Sequence, residues 1–476
     1  MKSQNHIHFI GICGTGMAAG AVLMKAKGYR VTGSDTGVYP PMSTYLEGEG
    51  IGFAIGFDPS NLVPRPDLVV IGNSLSRGNP EIEAVLDLKI PYVSLPELLR
   101  KELIRAKRSL VVTGTHGKTT SSSLLAWVLE SSGRSPSFFV GGIPLNFARP
   151  IRRTEGSEVV LEGDEYDTCF FDKRPKFLHY RPDVMIITNI EFDHADIYRN
   201  IHEIETVFAS AQQLIPRKGL VVANGDESAV RRALKRTFCP VEWFGLGENV
   251  TWRIAEFRPE GEGIAFSLLH KGRLNSRLYL PVMGEHNALN AAAVYIVCHR
   301  LGLTSQEIQR GFGTFKGVRR RMEKRGTFRG VTVFDDFAHH PTAIARTISA
   351  LKAHYPGRPL WAVFEPRTNT TRRNLFQREL AEAFRGARGV LIGEVYRKDR
   401  IDPVHRLDPA RLARDIEVNL TQRAWYMPEV DEIVAFLSDS VRQGELVVVM
   451  SNGGFGGLTD KLVSTLKQQD HRGDIH

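Results

Sequence analysis

The stretch SLVVTGTHGKTT, residues 109–120, decides the fold class of this chain. A short apolar run leads into a loop with two glycines, and helix-length sequence follows, which is typical of a phosphate-binding strand–loop–helix unit. Val112 stands where the full P-loop pattern has its first glycine, so the loop is a compact form of that pattern. Its N–H groups and lysine suit phosphates, and a threonine hydroxyl suits Mg²⁺. The predicted nucleotide-phosphate site comprises Gly114, Thr115, His116, Gly117, Lys118, Thr119 and Thr120.

Similar apolar runs recur along the chain and alternate with helix-length amphipathic segments. This alternation predicts an α/β fold with mostly parallel sheets, because both faces of such strands are covered. Residues 241–282 look less helical and predict a β-rich insertion. Basic stretches at 100–108 and 317–325 separate three blocks, so we predict three domains. Their predicted limits are residues 1–107, 108–323 and 324–476.

The composition is that of an ordinary globular protein with excess positive charge. The chain has 476 residues, 42% of them hydrophobic, and its 62 Lys and Arg against 53 Asp and Glu give a formal charge of +9. No apolar run approaches the ~18 residues of a membrane span. Four scattered cysteines argue against a zinc site or a disulfide scaffold. We expect a cytoplasmic protein that binds small anions, with no membrane and no nucleic acid as partner, because no nucleic-acid-binding module accompanies the charge.

A second glycine loop lies near the N-terminus. Gly14 and Gly16 follow an apolar run, Ala19 continues the pattern, and Asp35 follows about 20 residues later. The spacing matches the dinucleotide fingerprint, in which glycines approach a pyrophosphate and the acid binds a ribose hydroxyl. By itself it indicates a nicotinamide-dependent oxidoreductase, or a tight turn without a ligand. Two phosphate loops in separate domains favour an ATP-driven enzyme that acts on a nucleotide-linked substrate.

Two acidic clusters follow predicted strands of the second block. EGDEYD (162–167) ends one strand and TNIEFDH (188–194) ends the next. The carboxyl ends of neighbouring parallel strands meet at the ligand-binding edge of an open sheet, beside the Lys118 loop. Oxygen-rich side chains there suit Mg²⁺, which shares phosphate ligands with a nucleotide. A solvated acidic loop is the alternative that the residues alone leave open.

Six motifs, in order along the chain, resemble those of the Mur ligase family, the ATP-dependent amide-forming enzymes of peptidoglycan synthesis. The motifs are GTHGKTT (114–120), DEYD (164–167), TNIEFDH (188–194), GEHNALNAAA (284–293), RRRME (319–323) and DDFAHHPT (335–342). The resemblance implies a Rossmann-like N-terminal domain, a P-loop ATPase-like central domain and a Rossmann-like C-terminal domain. It also implies ATP and Mg²⁺ as cofactors and an acyl phosphate as intermediate.

Two branches of the family start from UDP-N-acetylmuramate. One adds L-alanine, and the other, in cell-wall recycling, adds the tripeptide L-alanyl-γ-D-glutamyl-meso-diaminopimelate. The alanine-adding branch usually reads DES and DDYGHHP where this chain has DEYD and DDFAHHP. Because of these differences, we favour tripeptide ligation over L-alanine ligation. Both branches lack the carbamylated lysine of several other members, and residues 207–211 contain no lysine. Stretches similar to the recycling branch are VYPPMSTYLE (38–47), IGNSLSRGNPE (71–81), EGDEYDTCFFDKRPKFLHY (162–180), FEPRTNT (364–370) and VMSNGGFGG (449–457).

The resemblance also implies roles for single residues. At the ATP site they are Lys118 for the phosphates, Thr119 for one magnesium ion, Glu165 and His194 for a second, Asn287 and Asn290 for adenine, Arg321 and Asp336 for closing over ATP, and His339 for the reacting phosphate. His286 lies against the base or has a structural role. The residues expected at the UDP-sugar site are Gly14, Gly16, Asp35 and Asn79.

The third block carries the predicted acceptor site. Arg367, Asn369 and Arg372 follow one predicted strand, and Asn452 lies in the glycine-rich end of another. Arginine binds a carboxylate through two parallel hydrogen bonds, which suits a peptide with several carboxylates. Surface arginines and a plain turn are the alternative. We expect a monomer or a weak homo-oligomer, and a basic nucleotide-binding regulator without catalysis stays open as a further class.

Overall fold

The computed structural model describes residues 5–38, 42–195 and 197–473, so residues 39–41 of the VYPPMSTYLE motif lie outside the described part. Three large β-sheets follow one another along the chain, and a two-stranded hairpin accompanies the second. Most of the strands are parallel, which confirms the predicted α/β class. The precise domain limits stay predictions. Within the described residues, no helix is long and apolar enough to cross a membrane.

The first sheet has five parallel strands. Its elements are β1 (His6–Ile10), α1 (Thr15–Ala26), β2 (Arg30–Asp35), α2 (Met42–Gly48), β3 (Phe53–Ile55), β4 (Leu68–Ile71), α3 (Pro80–Asp87), β5 (Tyr92–Ser94) and α4 (Leu95–Leu99). The order β3-β2-β1-β4-β5 reverses between β1 and β4. Ligands bind at such a switch point in open α/β sheets, and the first glycine loop leaves β1 there.

The second sheet has ten strands, and the pair β10–β11 forms a separate hairpin beside it. The strands are β6 (Arg108–Thr113), β7 (Ser137–Phe139), β8 (Ile151–Arg152), β9 (Glu158–Glu162), β10 (Asp167–Cys169), β11 (Asp172–Pro175), β12 (Val184–Ile187), β13 (Leu220–Asn224), β14 (Val241–Gly245), β15 (Trp252–Glu260), β16 (Gly263–His270) and β17 (Arg273–Leu280). The helices are α5 (Lys118–Ser131), α6 (Ile201–Gln212), α7 (Ser228–Ala233), α8 (Glu285–Arg300) and α9 (Ser305–Gly313). Residues 241–282 are rich in strand, as predicted, but these strands extend the main sheet.

The order of the central strands places the predicted site residues together. The sheet runs β17-β16-β15-β14-β13-β12-β6-β9-β7-β8, so β6 lies between β12 and β9 and is parallel to both. The phosphate loop after β6 is therefore flanked by the acidic segments 162–167 and 188–194. The strands are buried along their length because α5 and α8 pack on one face and α6 and α7 on the other.

The third sheet has six strands, of which only β18, antiparallel to β19, departs from the parallel arrangement. Its elements are β18 (Glu323–Phe328), β19 (Val331–Asp336), α10 (Pro341–His354), β20 (Leu360–Phe364), α11 (Gln377–Ala383), β21 (Gly389–Ile392), α12 (Pro409–Leu420), β22 (Arg423–Tyr426), α13 (Val430–Ser440), β23 (Leu446–Met450) and α14 (Leu458–Gly473). The order is β18-β19-β23-β20-β21-β22.

An apolar core joins the first sheet to the second. Leu23 of α1 and Leu99 of α4 belong to the same buried cluster as Val111 of β6 and Val159 of β9. A Cβ placed at Gly16 would lie 3.3 Å from the ring of Phe139 at the end of β7. Because this contact is apolar and continuous with the central core, it holds the first glycine loop firmly against the central sheet.

Gly33 in β2 has no room for a side chain, which yields a test of this packing. A Cβ there would lie 2.5 Å from Ile12 Cδ1 and 2.7 Å from the carbonyl oxygen of Phe9. We expect Gly33→Ala to lower the free energy of unfolding of the first domain by ~1–3 kcal/mol, because overpacking strains the core. The control is Gly52→Ala, where a Cβ meets nothing within 4 Å. Thermal unfolding followed by circular dichroism compares them, and equal melting temperatures for the two variants would contradict the expectation.

Candidate active site

The carboxyl ends of the three sheets face one cavity of about 790 Å³. Most of the predicted site residues line it, from all three parts of the chain. Gly114 and Glu165 lie behind the lining, and Asp35 and Asn79 belong to the packing of the first domain. The predicted residues that line the cavity are Gly14, Gly16, Thr115, His116, Gly117, Lys118, Thr119, Thr120, His194, Asn287, Asn290, Arg321, Asp336, His339, Arg367, Asn369 and Asn452.

Close packing shapes the phosphate loop. Gly114 and Gly117 have φ values of +126° and +84°, in the left-handed region that favours glycine. A Cβ at Gly117 would lie 2.5 Å from Asn290 Oδ1, and one at Gly114 would lie 2.9 Å from the carbonyl oxygen of Asn189. Asn189 Oδ1 also accepts the N–H of His116 at 2.8 Å. The loop is thus held at the N-terminus of α5, an arrangement that suits an anion.

Lys118 is buried, and carboxylates compensate its charge. Its Nζ donates to the carbonyl oxygen of Gly114 at 2.7 Å and to Glu165 Oε2 at 2.9 Å. Burial alone would lower the pKa of Lys118, but the charges of Glu165 and Asp164 outweigh it and raise this pKa. Burial acts to raise the pKa of Glu165, but Lys118 and His194 outweigh it and hold this pKa at about 2. Both members of the pair are therefore charged at neutral pH.

Glu162 is a functional candidate that the sequence reasoning included in an acidic cluster but did not select. Its Oε1 accepts the hydroxyl of Thr119 at 2.8 Å, and its Oε2 accepts the N–H of Gly141 at 2.6 Å. Arg321, just before the third sheet, donates to the same Thr119 hydroxyl at 3.0 Å. The position of Glu162 in the chain could have indicated this role. Glu162 is the last residue of β9, which is the parallel neighbour of the strand that carries the phosphate loop.

The donor set at this edge of the sheet fits Mg²⁺. The hydroxyl of Thr119 and the carboxylates of Glu162 and Glu165 are hard oxygen ligands of the kind that Mg²⁺ prefers. Burial and the neighbouring Asp164 raise the pKa of Glu162, a condition that a bound cation relieves. His194 is a softer ligand, and its Nε2 lies 3.4 Å from Glu165 Oε1, where it orients that carboxylate.

The beginning of α8 forms another wall of the cavity. Asn287 Nδ2 donates to the carbonyl oxygen of Met283 at 2.7 Å, and Asn290 Nδ2 donates to Asn287 Oδ1 at 3.0 Å. His286 lines the same wall, and burial lowers its pKa to about 4. Since Asn290 also abuts Gly117, this wall is in direct contact with the phosphate loop. The assignment of the two asparagines to adenine stays a prediction.

The third sheet contributes Asp336 and His339 to the cavity. Asp336 is the last residue of β19 and accepts the N–H of Ala338 at 2.7 Å. Burial raises the pKa of Asp336, although the charge of Arg321 acts to lower it. His339 Nδ1 lies 3.0 Å from the carbonyl oxygen of Phe337. Both residues line the cavity and belong to the third domain, whereas the phosphate loop belongs to the central domain.

Polar contacts join the central and third sheets beside the cavity. Thr370 Oγ1 donates to Asp193 Oδ1 at 2.7 Å, and Thr342 Oγ1 donates to Glu191 Oε2 at 2.6 Å. Both acceptors belong to the acidic segment after β12. This junction combines hydrogen bonds with aromatic and apolar contacts, such as that of Phe192 with Phe376 and the burial of Met283 in the third domain's core.

Two residues predicted to bind the UDP-sugar are occupied by local contacts. Asp35 Oδ2 accepts the N–H of Cys13 at 2.9 Å, and its Oδ1 accepts the N–H of Gly37 at 2.7 Å. Asn79 is the N-cap of α3, where its Oδ1 accepts two N–H groups of the first turn. In this structure Asp35 shapes the first glycine loop and Asn79 begins a helix. Their contact with substrate stays a prediction.

The predicted acceptor residues line the third-domain wall. Arg367 Nη1 pairs with Glu365 Oε1 at 3.2 Å, and its guanidinium stacks 3.7 Å from the ring centroid of Tyr396. Asn369 and Asn452 line the same wall. Asn452 Oδ1 is buried and has no hydrogen-bond partner in the described part of the chain. A buried unpaired acceptor is costly, and binding of substrate by Asn452 stays a prediction.

Family models match nearly all of this architecture. A model of the Mur ligase family catalytic domain matches residues 6–108, one of the Mur ligase middle domain matches 112–298, and one of the Mur ligase glutamate ligase domain matches 320–453. The fold and the cavity thus define a three-domain, ATP-dependent ligase that forms amide bonds. The chain belongs to the Mur ligase family, and the resemblance of its motifs to that family is confirmed.

Relatives with named activities align over nearly the full chain. The UDP-N-acetylmuramate–L-alanyl-γ-D-glutamyl-meso-2,6-diaminoheptandioate ligases of Haemophilus influenzae and Escherichia coli are each 38% identical to it, over 98% and 97% of this chain and 100% and 98% of their own length. The crystal structure of a murein peptide ligase from Psychrobacter arcticus is 33% identical, with a TM-score of 0.75 over 97% of this chain and 98% of that one. A UDP-N-acetylmuramate–L-alanine ligase of Variovorax paradoxus is 32% identical over 98% of this chain and 97% of its own length.

The pKa values of two histidines of the cavity are expected to shift in opposite directions from the usual 6.5. Burial lowers the pKa of His339 to about 4. Burial would also lower the pKa of His194, but its hydrogen bond to Glu165 and the charges of Glu165 and Asp193 raise it above 6.5. At a pH between about 4 and 6.5 we expect His194 to be charged and His339 to be neutral. Nuclear magnetic resonance of ¹³C-labelled histidine measures both, with His194→Gln and His339→Gln assigning the signals. A shared midpoint near 6.5 would contradict the described electrostatics.

Proposed function

We propose that this chain joins UDP-N-acetylmuramate to the tripeptide L-alanyl-γ-D-glutamyl-meso-diaminopimelate, at the expense of ATP, in the recycling of cell-wall peptides. The observation that carries the proposal is the buried Lys118 ammonium, held at a phosphate loop inside a cavity lined by all three domains. The greater identity to the tripeptide ligases, 38% against 32% for an L-alanine ligase, supports the acceptor.

The reaction has two chemical steps. In the first, the muramate carboxylate attacks the γ-phosphorus of ATP, ADP leaves, and an acyl phosphate forms. In the second, the peptide amine attacks the acyl carbon through a tetrahedral intermediate, loses a proton and expels phosphate. The first step drives a carboxylate against a triphosphate, so stabilisation of negative charge is its main requirement.

The chain supplies positive charge where this repulsion arises. Lys118 exchanges its contact with Glu165 for phosphate oxygens, and Arg321 adds a guanidinium that already reaches Thr119 across the domain junction. Loop N–H groups at the N-terminus of α5 add fixed dipoles. Asp336 and His339 stand on the third-domain wall, which the acceptor amine must approach.

The magnesium ions that we propose would be held by Thr119 at one site and by Glu165 and His194 at the other, with Glu162 completing the oxygen set. When bound, Mg²⁺ supplies further neutralisation of the phosphate charge. Lys118 also keeps Glu165 ionised before Mg²⁺ binds, because the pKa of Glu165 stays at about 2. The carboxylate is therefore ready to act as a ligand without losing a proton.

The first glycine loop is the proposed site of the UDP group. Gly14 and Gly16 line the cavity at the switch point of the first sheet, where α1 begins. An oxidoreductase that bound a nicotinamide cofactor at this loop would leave the Lys118 loop and the acids around it without a role. We place the enzyme in the cytoplasm, where ATP is supplied, as a monomer or a weak homo-oligomer.

Positive charge is concentrated behind the acceptor wall. Burial lowers the pKa of Arg372, and the charges of Arg373, Arg397 and Arg400 lower it further. These neighbouring arginines create a positive potential at the third domain. Such a potential suits a tripeptide with several carboxylates better than L-alanine, which has one.

The acceptor comparison is the experiment that tests this function. The purified chain, with ATP, Mg²⁺ and UDP-N-acetylmuramate, is expected to release phosphate rapidly with the tripeptide and only at background level with L-alanine. Mass spectrometry of the product identifies the new amide bond. Turnover with L-alanine and none with the tripeptide would replace this proposal with the L-alanine ligase. Reduction of NAD(P)⁺ without any use of ATP would support the oxidoreductase class. Binding of ATP without turnover would support a nucleotide-binding regulator.

Lys118→Ala is expected to reduce turnover by about 1,000-fold or more, because one charge opposite the phosphates is lost in a buried site. The protein should remain folded, since His194 still lies 3.4 Å from Glu165 and compensates its charge. Phosphate release and circular dichroism are the two measurements. Lys218→Ala, at an exposed lysine, serves as the control. Turnover in Lys118→Ala close to that of the control would overturn the assignment of the ATP site.

A further inference from the structure

Three side chains converge at the junction between the central and third sheets. His116 lies in the phosphate loop, Glu191 follows β12, and His340 is the N-cap residue of α10. His116 Nε2 lies 3.5 Å from Glu191 Oε2, and His340 Nδ1 lies 3.7 Å from the same oxygen. One ligand atom from each of the three lies within 4.8 Å of the other two. None of these contacts involves Lys118, Glu162 or Glu165.

We propose that His116, Glu191 and His340 form a binding site for a divalent transition-metal ion of the Zn²⁺ class. Two imidazole nitrogens and one carboxylate oxygen are a ligand set that Zn²⁺ and Co²⁺ prefer, whereas Mg²⁺ prefers oxygen alone. At bond lengths of about 2.0–2.1 Å, tetrahedral ligand atoms lie roughly 3.3–3.5 Å apart. The two separations from Glu191 therefore need to change by only a few tenths of an ångström. The two imidazole nitrogens lie within 4.8 Å of each other and approach further when the side chains rotate towards the ion.

Hydrogen bonds around the three residues prepare them for this role. His340 Nε2 faces the carbonyl oxygen of Phe192 at 3.3 Å, so Nε2 carries the proton and the Nδ1 lone pair is directed towards Glu191. That lone pair accepts the N–H of Thr342 at a long 3.3 Å, a weak helix-cap bond that a bound ion would replace. The hydroxyl of Thr342 donates to Glu191 Oε2 at 2.6 Å and orients the carboxylate. These are the supporting contacts that metal-binding histidines and carboxylates usually have.

His116 supplies a separate indication. Its Nε2 is buried and, apart from the 3.5 Å approach to Glu191 Oε2, has no hydrogen-bond partner among the described residues. Leaving such an atom unpaired costs free energy, and an ion bound at Glu191 Oε2 would satisfy it. Arg346 does not compete for that oxygen, because its Nη2 lies 3.8 Å from the other one, Oε1. Cysteine spacing carries no signal for this site, because its ligands are histidines and an acid from three distant segments.

An ion here would act on the arrangement of the domains. Two of its ligands belong to the central domain and the third belongs to the C-terminal domain, so binding would link the phosphate loop to α10. The ion is distinct from the magnesium ions proposed with ATP, and its binding needs neither ATP nor UDP-N-acetylmuramate.

Titration of the full chain with Co²⁺, in excess Mg²⁺ and without nucleotide, tests the site through the visible absorption of the ion. We expect one equivalent of tetrahedral Co²⁺, displaced by Zn²⁺. His340→Asn removes the imidazole but keeps a good helix cap, and Glu191→Gln removes the carboxylate charge. Each is expected to weaken binding more than about 100-fold, since even supporting residues contribute 10–100-fold. His405→Asn, at an exposed histidine of the same domain, should bind as the unaltered chain does.

Thermal unfolding with and without Zn²⁺ separates lost ligands from lost structure. Zn²⁺ should raise the melting temperature of the unaltered chain and of His405→Asn, and leave that of folded His340→Asn and Glu191→Gln unchanged. Absence of tetrahedral Co²⁺ in the unaltered chain would overturn the proposal. So would binding that survives both substitutions, or binding that is lost in Glu165→Gln but retained in His340→Asn, because the ion would then occupy the carboxylates of the ATP site.

Discussion

A buried ammonium group needs negative charge beside it, and the strand order of the central sheet supplies that charge to Lys118. An unpaired charge in such a position costs several kcal/mol. Because β6 lies between β9 and β12, the loop that carries Lys118 is bordered by the carboxylates after one strand and by the polar segment after the other. Glu165 completes the pair at 2.9 Å. The same arrangement that stabilises the folded chain also brings the oxygen ligands and the lysine to one edge.

The two domain junctions are built from different interactions. Leu23 and Leu99 of the first domain share a core with Val111 and Val159 of the central sheet, and such apolar contacts give way only when large areas are exposed to water. The third domain meets the central domain beside the cavity through several hydrogen bonds, such as that from Thr370 to Asp193, and through fewer apolar contacts, such as that of Phe376 with Phe192. Water can replace these bonds at modest cost. Movement that opens and closes the cavity is therefore expected at the second junction.

Much of the fold and part of the site could be predicted from the sequence, because the deciding residues are close together in the chain. The phosphate loop is contiguous, and apolar runs before glycines or acids locate the strands. The rule that parallel strands end at one edge predicted that segments 162–167 and 188–194 would flank the Lys118 loop. The strand order β12-β6-β9 confirms this prediction.

Contacts between side chains of distant segments could not be predicted in this way. Glu162 binds Thr119 only because β9 and β6 are neighbours in register, and Arg321 reaches the same hydroxyl from beyond the sheet. Asp35 stands where the dinucleotide pattern expects an acid, yet backbone N–H groups occupy both of its oxygens. A linear pattern records the type of a residue and its position in the chain, but the partner of its side chain depends on packing between distant segments.

The contact between Gly16 and Phe139 has a consequence for how such a chain can diversify. It joins the first glycine loop to the sheet that carries the phosphate loop, so the two loops share one platform. The wall that carries Arg367 and Asn452 stands on a separate domain, attached by contacts that are easily rebuilt. Exchange of the C-terminal domain between related chains would thus alter the wall while sparing the platform, and this modularity offers a route to hybrid enzymes.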